Sequence, residues 1–128
     1  MDKKEVNSQK APKAVGPYSQ GIISKGFLYS SGQLPLNPST GKIVEGGISG
    51  QTQQALDNLQ AVLEAGGSSL ENLVKVNVFL YDMKDFPEFN KIYAEYLSEP
   101  YPARSCVSVK GLPMDVLVEI EGVAVISD

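Results

Sequence analysis

Two segments carry the residue types best suited to chemistry: Pro102-Ala103-Arg104-Ser105-Cys106-Val107 and Val118-Glu119-Ile120-Glu121. Side chains alternate along a strand, so Arg104, Cys106 and Ser108 share one face while Val107 and Val109 point the other way, into a core. Glu119 and Glu121 likewise share a face, opposite Val118 and Ile120. A hairpin with Val109 opposite Val116 sets Cys106 against Glu119 and Arg104 against Glu121, although the six-residue loop 110–115 leaves that register open. In any near register one guanidinium, one thiol and two carboxylates share a patch. Such an arginine can clamp a substrate carboxylate through paired hydrogen bonds. Such a glutamate can orient or deprotonate water. The same arrangement also reads as a cross-strand ion pair beside a half-buried cysteine. Cys106 serves equally as a small core hydrophobe, and there is no histidine to activate it.

The absence of histidine excludes a histidine-based triad and every zinc site that needs one. No metal or cofactor is expected, and Gly32 belongs to no GxGxxG or phosphate-loop pattern. Ser31-Gly32-Gln33 can present backbone N–H groups to an anion. Cys106 is the single cysteine, so no disulfide forms within the chain. At 128 residues the chain makes one domain, spanning 1–128. The formal net charge of −4 argues against nucleic acid as a partner. No apolar run is long enough to span a membrane, and the charged N-terminus lacks a secretory pattern. Cytoplasm is the expected compartment.

The rest of the chain must hold these segments in place. Residues 1–13 are polar and lysine-rich and read as a loosely ordered arm. Segments 18–24 and 27–31 are short β-prone runs around Lys25-Gly26, a hairpin turn with glycine at positive φ. Pro35, Pro38 and Gly41 exclude a central strand from the loop that follows. Ile48, Ala55, Leu56, Leu59, Val62 and Leu63 recur at the helical period, with Gln51, Gln53, Gln54, Asp57, Asn58 and Gln60 at other positions. Gly66-Gly67 ends that helix. Residues 73–80 read as a buried strand, with Val74, Val76, Val78 and Leu80 on one face and Lys75, Asn77 and Phe79 on the other. Asp82 and Asp85 can cap a second helix striped by Phe86, Phe89, Tyr93, Tyr96 and Leu97, which Pro100 and Pro102 end. Segments 104–109 and 116–126 complete the order β-β-α-β-α-β-β, an α+β pattern with two helices on one face of a sheet. Phe27, Tyr29 and Phe79 leave the far face apolar. Another subunit is expected to bury it, a curved and partly wet face being the alternative.

The ordered motifs resemble those of the reactive-intermediate/imine deaminases, the Rid or YjgF-type family. They are Gly16-Pro17-Tyr18-Ser19-Gln20, Ser31-Gly32-Gln33-Leu34-Pro35, Asn37-Pro38-Ser39-Thr40-Gly41 and Gln54-Ala55-Leu56-Asp57-Asn58. Further along come the strand at 73–80, Asp85-Phe86 with Asn90 and Tyr93, Pro102 through Val107, and Leu112-Pro113 with Val118 through Glu121. The resemblance implies a chorismate-mutase-like α+β fold and a homotrimeric barrel with clefts between subunits. It implies hydrolysis of enamine and imine intermediates such as 2-aminoacrylate and 2-aminocrotonate to 2-keto acids and ammonia, without metal or cofactor. A non-catalytic 2-keto-acid-binding protein using the same cleft, or a translation inhibitor or ribonuclease, is the alternative. By the same resemblance Arg104 grips the substrate carboxylate, Glu119 holds the attacking water, and Cys106 lines the pocket. Tyr18, Ser31, Gly32 and Asn90 match pocket positions, some from a neighbouring subunit, and Phe89 adds an apolar wall. Gly21, Gly122 and the short stretch Ser98-Glu99-Pro100-Tyr101 depart from the family pattern.

Overall fold

The computed structural model describes residues 2–126. Six strands, β1 (Lys4–Val6), β2 (Gly21–Ser24), β3 (Phe27–Ser30), β4 (Leu73–Leu80), β5 (Ala103–Ser108) and β6 (Val118–Val125), form one sheet in the order β1-β2-β3-β6-β4-β5. Helices α1 (Gly47–Ala65) and α2 (Phe86–Tyr96) are interleaved with them. The core lies between helices and sheet: Leu56, Leu59 and Leu63 of α1 and Phe89 of α2 meet Leu28, Val76, Val78, Val118 and Ile120. The 3.6-residue period of one layer and the two-residue period of the other thus meet at a single apolar seam.

Four elements depart from the sequence expectation. Lys4–Val6 is a strand, paired with β2 through Lys4↔Ile23 and Val6↔Gly21. Val6 and Ala11 are buried, so this stretch is anchored where a loose arm was expected. The anchor is Gln20. Its Oε1 accepts from Ser8 N at 2.6 Å, and its Nε2 donates to Ser8 O at 3.0 Å and Pro12 O at 2.8 Å. Composition shows polarity but not a partner, which is why the segment read as frayed.

The expected hairpin between the last two strands does not form. β5 lies at the sheet edge, parallel to β4, and β6 crosses to the other side of β4 and runs antiparallel to it. The loop between them crosses the C-terminal end of β4: Val109 N donates to Leu80 O at 2.8 Å, and Tyr81 N to Leu117 O at 3.0 Å. β4 lies between β6 and β5, one strand in from the sheet edge, with Val76, Val78 and Leu80 fully buried against the helices. Within β4 a bulge between Leu73 and Lys75 turns Val74 outward to 42% exposure and seats Leu73 in the core instead.

Polar residues of α1 also sit inside. Asn58 is fully buried and donates to Leu34 O and Leu36 O at 2.9 and 3.0 Å, and Gln51 Oε1 accepts from Leu117 N at 2.8 Å. These amides satisfy loop backbone that would otherwise be stranded under the helix. Gly122 fits because a Cβ there would press on Leu73 Cδ2, 2.6 Å away. The far face of the sheet keeps apolar residues in the open: Phe27, Tyr29 and Val107 are all exposed. Among the described residues no helix is long and apolar enough to cross a membrane.

Candidate functional site

The sheet divides the candidate residues into two groups. Arg104 and Cys106 are in register with Val76 and Val78 of β4, so they face the helices. Ile120 and Gly122 of β6 hold those same register positions, so Glu119 and Glu121 alternate to the open face, opposite Phe79 and Asn77. The expected shared patch of guanidinium, thiol and two carboxylates is therefore not present within one chain. Its premise was the hairpin that β4 displaces.

The first group belongs to β5 and α2. Phe86, Phe89, Asn90 and Tyr93 are spaced i, i+3, i+4, i+7, which puts them on one helical face. Arg104 rests on that face, with its guanidinium carbon 4.9 Å from the centroid of Tyr93, 5.5 Å from Phe86 and 5.9 Å from Phe89. Its Nη1 donates to Asn90 Oδ1 at 2.7 Å. Among the described residues no carboxylate lies within ion-pair distance of Arg104. A cavity of about 460 Å³ opens beside it, lined by Asn90, Tyr93, Ala94, Tyr101, Pro102 and Arg104. Phe89 is fully buried against the guanidinium and does not line that cavity within one chain. Cys106 is half-buried on the same face. Burial pushes its thiol pKa up and the Arg104 charge draws it partly back, so it is a poor nucleophile here.

The second group gathers on the other face of the sheet. Tyr18, Ser31, Gly32, Glu119 and Glu121 line a cavity of about 620 Å³ whose apolar side includes Val15, Leu34 and Met114. The chain after β3 leaves the ladder at Ser31 and Gly32 and rejoins it at Gln33, which exchanges both backbone hydrogen bonds with Ile120 at 2.7 and 3.1 Å. The Glu119 carboxylate fills the space this detour opens. A Cβ on Gly32 would overlap its Oε2 and lie 2.7 Å from its Cδ, so glycine is required for the carboxylate to lie there. Ser31 is fixed by its Oγ, donating to Ser19 O at 2.5 Å, and by its N, donating to Gln20 O at 2.9 Å. Of the three backbone amides expected to face an anion, those of Ser31 and Gln33 are therefore committed. Burial, and then the nearby Glu121 charge, raise the pKa of Glu119 above the ordinary glutamate value. Glu121 is itself held by Asn77 Nδ2, which donates to its Oε2 at 3.1 Å.

Gln20, Asn77, Phe86 and Tyr93 complete these two groups, and sequence reasoning gave none of them a role. All four stood in motifs that carry the resemblance, so the signal was position without a function attached. Among the described residues no cluster of three or more His, Cys, Asp or Glu could hold a metal.

The Endoribonuclease L-PSP family profile matches residues 8–126. The chain belongs to the Rid (YjgF/L-PSP) family. A RutC family protein of Pyrococcus horikoshii is 51% identical over 122 residues, covering 95% of this chain and 97% of that relative. RidA from the Antarctic bacterium Psychrobacter superposes with a TM-score of 0.92 at 43% identity, covering 96% of this chain and 99% of the other. Escherichia coli TdcF, solved with bound serine, gives a TM-score of 0.91 at 39% identity over 97% and 99% of the two chains. The α+β, chorismate-mutase-like Rid architecture expected from the motifs is the fold of this chain.

Proposed function

We propose that this Rid protein hydrolyses carboxylate-bearing enamines and imines, such as 2-aminoacrylate and 2-aminocrotonate, to 2-keto acids and ammonia. The reaction takes place between copies of the chain in a homotrimer. One observation carries this reading: two unmatched charges stand on opposite faces of one sheet. Arg104 has no carboxylate within ion-pair distance and half-buried Glu119 has no cation, among the described residues. Each supplies what the other cavity lacks when the Arg104 face of one copy meets the Gly32 cavity of the next. The exposed Phe27, Tyr29 and Val107 give such a contact apolar surface to bury.

In this scheme Arg104 takes the substrate carboxylate in a bidentate clamp. The enamine gains a proton on its terminal carbon and loses one from nitrogen, becoming an imine. Water adds across the C=N bond, oxygen to carbon and a proton to nitrogen. The carbinolamine nitrogen then takes a proton, the C–N bond breaks as the hydroxyl gives up its own proton in exchange, and a keto acid and ammonia result. A Glu119 carboxyl with a raised pKa holds a proton nearer neutrality than an exposed glutamate does, which suits it to position the water and pass the proton. The substrate is already reactive, so positioning and one proton carrier suffice. A reaction that eliminates water from a hydroxy-amino acid is the class that supplies such a substrate.

A second reading, a carboxylate-binding protein without turnover, is favoured by the serine held in TdcF. A ribonuclease reading meets two carboxylates in the Gly32 cavity, where phosphate would be repelled. The test couples a pyridoxal-phosphate serine dehydratase to this protein and follows pyruvate release, with light scattering for the assembly mass. Faster release with wild type but not with Arg104→Ala supports the deaminase. Equal rates with wild type, Arg104→Ala and no protein, at a trimer mass, support the binding reading.

A further inference from the structure

Among the described residues Arg104 has no ion-pair partner, and what surrounds it is unusual in kind. A partly buried guanidinium is ordinarily held by a carboxylate. Here three aromatic rings and one neutral carboxamide do that work. The two kinds of support differ in what they leave behind. A carboxylate partner cancels the positive charge and occupies the guanidinium fork. Aromatic faces attract the cation through their quadrupole yet add no net charge and occupy no N–H group. The Asn90 Oδ1 takes one N–H and is neutral. Burial raises the pKa of both Tyr93 and Cys106, and the Arg104 charge draws each partly back.

We propose that Phe86, Tyr93 and the neutral Asn90 are positioning residues that hold Arg104 as an uncompensated cation, reserving its fork for an incoming ligand carboxylate. This rests on the carboxylate-clamp part of the proposed function and names the device that makes the clamp available. Phe86 begins α2 and Tyr93 lies seven residues on, so the helix sets both rings at once, and Phe89 packs against Tyr93 with centroids 5.4 Å apart and ring planes tilted by 34°. The cage is assembled within one chain, with no ligand needed to bring its members together. Binding then costs little ordering of the arginine, whose long side chain is otherwise expensive to fix.

The experiment is calorimetric titration of the full-length protein with 2-oxobutanoate, with imine turnover measured alongside. Asn90→Asp exchanges one group for its near isostere and places a carboxylate where Arg104 already donates. It is expected to keep or raise Tm while weakening 2-oxobutanoate binding about 10- to 100-fold, because the fork is now neutralised from within. Phe86→Leu removes one ring and is expected to raise both Kd and KM about 2- to 5-fold with kcat near wild type, and Phe86→Tyr to restore both. An Asn90→Asp protein that binds 2-oxobutanoate as tightly as wild type overturns the proposal, and so does a Phe86→Leu protein with unchanged Kd. Should Asn90→Asp not fold, the Phe86 pair decides. A wild type that binds 2-oxobutanoate but hydrolyses no imine refutes the deaminase reading and leaves the cage to be judged on the same Kd values. A wild type that binds no keto acid overturns both.

Discussion

Replacing Gly32 with alanine tests the link between backbone and chemistry most directly. The new Cβ would lie 2.7 Å from Glu119 Cδ and 3.0 Å from Cγ, and would overlap the carboxylate itself. What it meets is the far end of a flexible side chain, so Glu119 moves and the backbone does not. Gly32 has no positive φ to lose, and the exchange gains up to about 1 kcal/mol from a stiffer unfolded chain. Reseating Glu119 away from its rotamer costs about 0.5–1.5 kcal/mol. The two nearly cancel, so Tm is expected to hold. The carboxylate must retreat by roughly 1 Å or more, and a misplacement of that size costs about 10²-fold in rate. Imine hydrolysis followed by keto-acid release is therefore expected to fall about 100-fold with thermal unfolding unchanged. Activity within twofold of wild type would refute the assignment of Glu119. Loss of the fold would refute the argument that only a side chain stands in the way.

Three further outcomes follow from the same geometry. The raised pKa of Glu119 means that the folded state binds its proton more tightly than the unfolded state does; this contribution is fully present below the ordinary glutamate value and is lost as pH rises through the folded one. Glu119→Gln is therefore expected to raise Tm at pH 7–8 while abolishing turnover, and the stability gain to vanish near pH 4; a constant gain across that range would sink the account. Gln20→Leu strips the hydrogen bonds that hold residues 8–12, and should cost about 1–3 kcal/mol by urea unfolding and speed amide exchange at Ser8, whose acceptor is gone. Met114 is left-handed at φ 57° and ψ 17°, so Met114→Gly should stabilise the chain by about 0.5–1 kcal/mol, and a lowered urea midpoint would contradict the strain.

The sequence was most legible where one physical rule acted alone. The strand at 73–80, the helix ended by Gly66-Gly67 and the Lys25-Gly26 turn follow from periodicity and from positive φ, and Lys25 and Gly26 do lie at φ 53° and 83°. Strand order was not legible. It depends on which strands pair, here β6 with β4 and not with β5, and alternation within a strand says nothing about which strand lies alongside. That error carried straight into the site. The period placed Glu119 with Glu121 and Arg104 with Cys106 correctly, but the assumed hairpin joined the pairs across one face. Buried amides were illegible for a different reason: Gln20 and Asn58 look like surface residues until their backbone partners are known.

Because Arg104 and Glu119 stand on opposite faces of one sheet, a chain damaged at either keeps one face intact. On the proposed reading, a cell carrying one allele altered at Arg104 and another altered at Glu119 builds mixed assemblies. Some junctions in them join two unaltered faces. Two recessive defects on opposite faces should then complement each other, while two on the same face should not. The sheet, read this way, sorts the gene's mutations into two complementation groups.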